Sequence, residues 1–231
     1  MKKDIFLVDA DNTLLDFHGS SFLAIREAFE KFGVAWKEEF AATFTKLNDS
    51  LWEMLERKEI TREKLIEIRF PLYLKELGYL EIDGEEFNKT YLHLLAVRPL
   101  YIDGAEEFLR ALKRRGKVYI VTNGTERIQK SRFDILGLWQ YADDVFVSSK
   151  IGWDKPDPRY TDYVLSHIDG FEIGRAVWIG DSLSADIKAA NEANIESIWY
   201  NPENKRLKED GVIPTRQAKN FEEILSILQI N

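Results

Sequence analysis

Asp9 and Asp11 stand two positions apart in Asp9-Ala10-Asp11-Asn12-Thr13. Thr122-Asn123-Gly124 puts a hydroxyl beside an amide, and Lys155-Pro156-Asp157-Pro158 supplies a lone ammonium. Gly180-Asp181-Ser182-Leu183-Ser184-Ala185-Asp186 adds two more carboxylates. If the fold gathers these segments, several acids face one lysine and two small hydrogen-bonding side chains. Clustered carboxylates repel, and burying an unpaired anion is costly. A hard divalent cation resolves the conflict, and magnesium prefers oxygen ligands. Such a metal, with Lys155 and nearby hydroxyl and N–H donors, would also hold a phosphate. A carboxylate at that spot could attack phosphorus and form an aspartyl-phosphate. A second carboxyl two residues on could protonate the leaving alcohol oxygen and then activate water.

Four of these groups follow apolar, β-branched runs. The runs are Ile5–Val8, Val118–Val121, Val145–Val147 and Ala176–Ile179, with Ser197–Trp199 as a fifth. Helical stretches separate them at Gly104–Arg115, Glu126–Leu136, Pro158–Ser166 and Ser184–Ala193, and Phe221–Leu228 follows the last. Strands apolar throughout and separated by helices predict a parallel sheet covered on both faces. Open parallel sheets bind ligands at the carboxyl ends of their strands. Residues 16–98 read differently: they carry helical patterns at Ser20–Phe32, Lys37–Arg57, Thr61–Leu77 and Gly84–Ala96, and no convincing strand. Phe44, Leu47, Leu51 and Leu55 recur at helical spacing, and Thr61 marks a helix start after Ile60. The expected architecture is a doubly wound, Rossmann-like α/β core, residues 1–15 and 99–231, with an α-helical domain, residues 16–98, inserted after the first strand.

The four motifs, in this order and each after a strand, strongly resemble the haloacid dehalogenase-like hydrolases and their phosphatase branch. That resemblance implies Asp9 as nucleophile and Asp11 as general acid/base, with the Asp11 main-chain carbonyl on the metal. It implies Thr122 and Asn123 holding the transferring phosphoryl, Lys155 pairing with nucleophile and phosphate, and Asp181 ligating Mg²⁺. Asp186 is either a further metal ligand or a partner of Lys155. The helical insertion resembles the family's cap, which excludes water from small substrates. Asp9 to Phe17, Asn48-Asp49-Ser50-Leu51-Trp52, Arg69-Phe70 and Val121-Thr122-Asn123-Gly124 further resemble the pyrimidine 5′-nucleotidases. That implies pyrimidine nucleoside monophosphates as substrates. Trp52 or Phe17 would stack on the base, with Arg69 as a second cap contact. Taken without the resemblance, Trp52 and Arg69 read as helix packing.

The composition bounds the alternatives. The chain has 231 residues, 32 Lys+Arg against 40 Asp+Glu, a net charge of −8 and no cysteine. An acidic surface argues against polymeric nucleic acid or an anionic membrane as partner, since both depend on basic stripes. The missing cysteines remove disulfides, thiolate metal sites and thiol nucleophiles. The apolar run near the start is too short for a signal peptide and no other run approaches the ~20 residues of a spanning helix, so a soluble, cytoplasmic protein is expected; a monomer or a homodimer would both fit. His18, His93 and His167 fit no metal spacing. Gly180-Asp181-Ser182-Leu183 also spells a serine-esterase signature, but no histidine follows it to act as base. Neither a Gly-x-x-x-x-Gly-Lys phosphate loop nor a Gly-x-Gly-x-x-Gly turn is present. A phosphatase on sugar phosphates or other small phosphomonoesters is the first alternative to the nucleotidase, and phosphomutase, dehalogenase and non-catalytic phosphate-binding readings stand behind it. A dehalogenase has no need of the acid/base Asp11.

Overall fold

The computed structural model describes residues 2–207 and 211–230. Its strands are β1 (Ile5–Val8), β2 (Lys117–Thr122), β3 (Asp144–Val147), β4 (Ala176–Gly180), β5 (Glu196–Tyr200) and β6 (Arg216–Ala218). They pair in parallel throughout, in the order β3-β2-β1-β4-β5-β6. Successive side chains of a strand point to opposite faces, and here both faces are dry. Phe6 and Val8 enter one apolar cluster with Val118, Ile120, Val177 and Ile179. Ile5 and Leu7 enter the other with Tyr119, Val121 and Trp178. This accounts for the uninterrupted apolar runs in β1 and β4, buried at every position.

The helices are α1 (Phe17–Lys31), α2 (Glu39–Glu56), α3 (Arg62–Leu77), α4 (Gly84–Val97), α5 (Ala105–Arg115), α6 (Glu126–Leu136), α7 (Ser148–Ile151), α8 (Pro158–Ser166), α9 (Lys188–Glu192) and α10 (Phe221–Leu228). Phe108, Leu109 and Leu112 of α5, Phe133 of α6 and Ile224 of α10 close the first face of the sheet. Tyr160 and Val164 of α8, with Ala189 and Ala190 of α9, close the second. The strand order reverses between β1 and β4, so a crevice opens at their carboxyl ends, where such sheets bind ligands.

The chain divides into two compact units, Met1–Asp16 with Tyr101–Asn231, and Phe17–Leu100. The second is helical, with α1 packed on α4 and α3 on both α2 and α4. Its centre is aromatic: Phe29 lies 4.7 Å from Phe40 and 4.8 Å from Phe87, and Phe70 lies 4.9 Å from Tyr91, centroid to centroid. Thr61 caps α3 by accepting from the Lys64 N–H, as its sequence position predicts. Gly84 begins α4 directly over Pro71 of α3: a Cβ there would lie 2.8 Å from the proline ring. No helix among the described residues is long and apolar enough to cross a membrane.

Two elements differ from the sequence expectation. β6 is a strand the sequence does not signal: three residues at the sheet edge, of which only Ala218 is buried. The single helix expected over Ser184–Ala193 begins instead as a π-helical turn, Leu183–Ile187, before α9. The Ile187 N–H donates to the Ser182 carbonyl at 3.1 Å, and the Ser182 hydroxyl accepts from the Ala185 N–H at 3.1 Å. Such wide turns concentrate at functional sites, and this one carries Asp186.

Candidate active site

The chain leaves β1 at Val8, and the Asp9 N–H donates to the Ile179 carbonyl of β4 at 2.9 Å. That bond pins Asp9 in the crevice between the two strands. Asn12 then adopts a left-handed backbone (φ 59°), a conformation asparagine tolerates, and the chain doubles back with Asn12 N–H on the Leu15 carbonyl. Lys155 reaches Asp9 from the far side of β2. Its ammonium donates to Asp9 Oδ1 at 2.6 Å, to Asp186 Oδ1 at 2.7 Å and to the Val121 carbonyl at 2.8 Å. Three donors meet three acceptors, and the lysine is 2% exposed. Asn123 anchors the lysine's main chain. Its amide donates to the Lys155 carbonyl at 2.9 Å and its Oδ1 accepts from the Lys155 N–H at 2.8 Å.

Asp186 accepts a further bond from the Ser182 N–H at 3.2 Å. It sits so close to β4 that a Cβ on Gly180 would approach its Cγ to 2.3 Å. Glycine at 180 is thus a spatial requirement of the site. Asp181 accepts from the Thr13 hydroxyl at 3.4 Å. Carboxylate oxygens of Asp9, Asp181 and Asp186 lie within 4.8 Å of one another.

Crowding of acids around one ammonium in a recessed site shifts the titration of two of them, Asp9 and Asp181. Burial pushes the Asp9 carboxyl up to about 7, against the pull of Lys155 and with the help of Asp186. Burial and the charges of Asp9 and Asp186 likewise hold Asp181 well above the usual carboxylate range. For Lys155, burial favours the neutral amine, but Asp186 and Asp9 outweigh it and keep the ammonium above the ordinary lysine value. The donor set is all oxygen, under-neutralised and preassembled. It fits a hard divalent cation, which would restore the charge balance and favour the ionised forms of Asp9 and Asp181.

The Asp11 carboxylate is not one of the three; the metal contact expected of this residue concerns its main-chain carbonyl. Its side chain turns towards α6, where Arg132 Nη1 donates to Oδ1 at 2.5 Å and Gln129 Nε2 donates to Oδ2 at 2.7 Å. The same Gln129 nitrogen donates to the Thr122 hydroxyl at 3.0 Å, and that hydroxyl also accepts from the Gly124 N–H at 3.1 Å. Gln129 and Arg132 are polar residues one helical turn apart on α6, which as a sequence pattern reads as a wet face. Their spacing just after Thr122-Asn123-Gly124 was the available signal, and only the packing of the Asp11 loop on α6 reveals it.

Trp52 and Arg69, singled out in the sequence, lie in the helical unit. Trp52 is half-buried, with the Arg62 guanidinium over its ring at 5.4 Å. Arg69 is enclosed, and its position is that of a packing residue. Its Nη1 donates to Asn48 of α2 and its Nη2 to Asn88 of α4, both at 3.2 Å, while the rings of Phe70 and Tyr91 lie 5.0 and 5.1 Å away. One side chain of α3 thereby ties together α2, α3 and α4. Burial pushes the Arg69 guanidinium below its ordinary pKa.

A carboxyl raised by burial, a buried lysine and an acid cluster meet at the sheet crevice, and the family model for haloacid dehalogenase-like hydrolases matches residues 3–194. The chain belongs to this family. Among haloacid dehalogenase-like hydrolases it is 36% identical to the HAD-hydrolase YfnB of Bacillus subtilis over 97% of this chain and 94% of that protein. It is 33% identical to the pyrimidine 5′-nucleotidase PynA of Streptococcus pneumoniae over 97% and 94% of the two chains. Identity to the pyrimidine 5′-nucleotidase YjjG of Escherichia coli is 27% over 99% of each. A crystal structure of YfnB bound to magnesium matches the fold with a TM-score of 0.94 at 35% identity, covering 100% of both chains.

Proposed function

We propose that this hydrolase is a Mg²⁺-dependent phosphomonoesterase acting on pyrimidine nucleoside monophosphates through an aspartyl-phosphate on Asp9. The observation that carries the reading is the convergence of Asp9, Asp181 and Asp186 within 4.8 Å, with Lys155 bridging Asp9 and Asp186. A bound Mg²⁺ would supply charge neutralisation for the acids and the phosphoryl oxygens. Asp9 attacks phosphorus while the bond to the ester oxygen breaks. Asp11 gives its proton to that leaving oxygen, releasing the nucleoside. Water then attacks phosphorus, Asp11 takes the water's proton, and the Asp9–phosphorus bond breaks to free inorganic phosphate. Thr122 holds the phosphoryl group, and Asn123 keeps Lys155 aimed at the nucleophile. The helical unit acts as a substrate-selecting cap, with Trp52 stacking on the base and Arg69 holding the helices that carry it. The pyrimidine preference is supported by PynA and YjjG, both similar along nearly their full length.

Phosphate release over a panel of nucleoside and sugar monophosphates, with Mg²⁺ and with a chelator, tests this. The expected result is Mg²⁺-dependent turnover that favours dUMP, dTMP or UMP and is abolished by Asp11→Asn. A strong preference for sugar phosphates overturns the nucleotidase reading, and no turnover in any divalent metal overturns the phosphatase.

A further inference from the structure

The proposed chemistry needs Asp11 to give a proton to an ester oxygen and later to take one from water. Nothing in the acid cluster holds its carboxylate; two residues of α6 do. Both Asp11 oxygens are occupied, Oδ1 by Arg132 Nη1 at 2.5 Å and Oδ2 by Gln129 Nε2 at 2.7 Å. Arg132 also donates to Gln129 Oε1 at 2.8 Å, so the two donors brace each other. Gln129 in turn bridges Asp11 to the Thr122 hydroxyl.

The cost of this arrangement argues that it is not a packing device. Arg132 is 1% exposed, and its Nε and Nη2 have no hydrogen-bond partner among the described residues. Its ion pair is with Asp11, which is itself partly exposed. A buried guanidinium with two empty donors destabilises the fold relative to an apolar side chain of similar size. Gln129 is equally constrained: it lies so near the Thr122-Asn123-Gly124 turn that a Cβ on Gly124 would come within 2.5 Å of its Cγ. The turn that delivers the phosphoryl-holding hydroxyl is thus also shaped to admit the glutamine.

We propose that Gln129 and Arg132 are positioning residues for proton transfer. They fix the Asp11 carboxyl group in a set register to Thr122, and so to the leaving oxygen of the phosphoryl group held there. The inference rests on the phosphatase reading and on Asp11 as its general acid/base.

Leaving-group dependence separates this role from a structural one. A nucleoside 5′-alkoxide needs protonation to depart; p-nitrophenolate does not. General acid catalysis contributes about 10²–10⁴-fold, and kcat/KM reports the step that expels the alcohol. In Arg132→Met, kcat/KM for dUMP is expected to fall by about 10²-fold, and that for p-nitrophenyl phosphate by less than about tenfold. Arg132→Lys should recover part of the dUMP loss. Gln129→Met should show the same skew to a smaller degree, and it carries the comparison if Arg132→Met does not fold. An equal loss on both substrates, or no loss on either, overturns the inference alone. A wild-type enzyme that hydrolyses neither ester overturns the phosphatase reading and the inference with it.

Discussion

At the scale of single residues, the acid cluster is governed by Asp9, a carboxyl that burial raises from 3.8 to about 7, whereas the proposed attack on phosphorus needs it ionised. The linkage follows from proton counts. Between those two values the folded chain holds a proton on Asp9 that the unfolded chain has lost, so stability falls as pH rises through this window. Asp181, also raised, adds in the same direction. A divalent cation reverses the effect by favouring the ionised acids and expelling their protons. The rise in melting temperature caused by saturating Mg²⁺ is therefore expected to be larger at pH 8 than at pH 5. Proton release on binding, read by titration calorimetry in buffers of different ionisation enthalpy, should accompany it. An equal Mg²⁺ effect at both pH values would contradict the raised acids.

At the scale of elements, the end of β4 and the π-helical turn after it form one device. Gly180 lets Asp186 sit against the strand, and the wide turn brings its oxygens to Lys155 and to the Ser182 N–H. Gly180→Ala puts a methyl 2.3 Å from the Asp186 Cγ, a contact that only movement of the carboxylate can relieve. Activity should drop by more than about tenfold and Mg²⁺ affinity should weaken, since supporting contacts of this kind typically govern about 10–100-fold. Circular dichroism should find the fold retained, and wild-type Mg²⁺ affinity in this variant would show that Asp186 does not depend on the close approach. The same region marks how far the sequence could be read. β1, β2 and β4 were legible because strands buried on both faces leave unbroken apolar runs, and the motifs at their ends picked out the acids and the lysine that converge there. β6 was not, because a three-residue edge strand with one buried side chain leaves no run to detect. The π turn was hidden because apolar spacing over five residues cannot separate it from an ordinary helix. Gln129 and Arg132 escaped for a deeper reason: helical spacing tells which residues share a face, not whether another loop will cover it.

At the scale of the whole molecule, the net charge of −8 resolves into two populations. Many acids form exposed ion pairs such as Arg26–Glu30 or Lys130–Asp134, which contribute little to stability. A few are buried, and two of these, Asp9 and Asp186, meet at the Lys155 ammonium. The clasp between Asn123 and the Lys155 main chain carries a further consequence, for chemical ageing. Asn123-Gly124 is the dipeptide most prone to deamidation: the glycine nitrogen attacks the side-chain carbonyl, ammonia leaves, and the ring opens to aspartate or isoaspartate. In the folded chain the attacking nitrogen is turned to the Thr122 hydroxyl, and the asparagine amide is held by Lys155. Peptide mapping of incubated protein should find this bond ageing far more slowly in the folded enzyme than in a peptide of the same sequence; equal rates would mean that the clasp does not hold in solution. Each deamidation would replace a donor by a carboxylate set against the Lys155 carbonyl oxygen. If the clasp holds in solution, the rate of this loss would be set by how often this one turn opens.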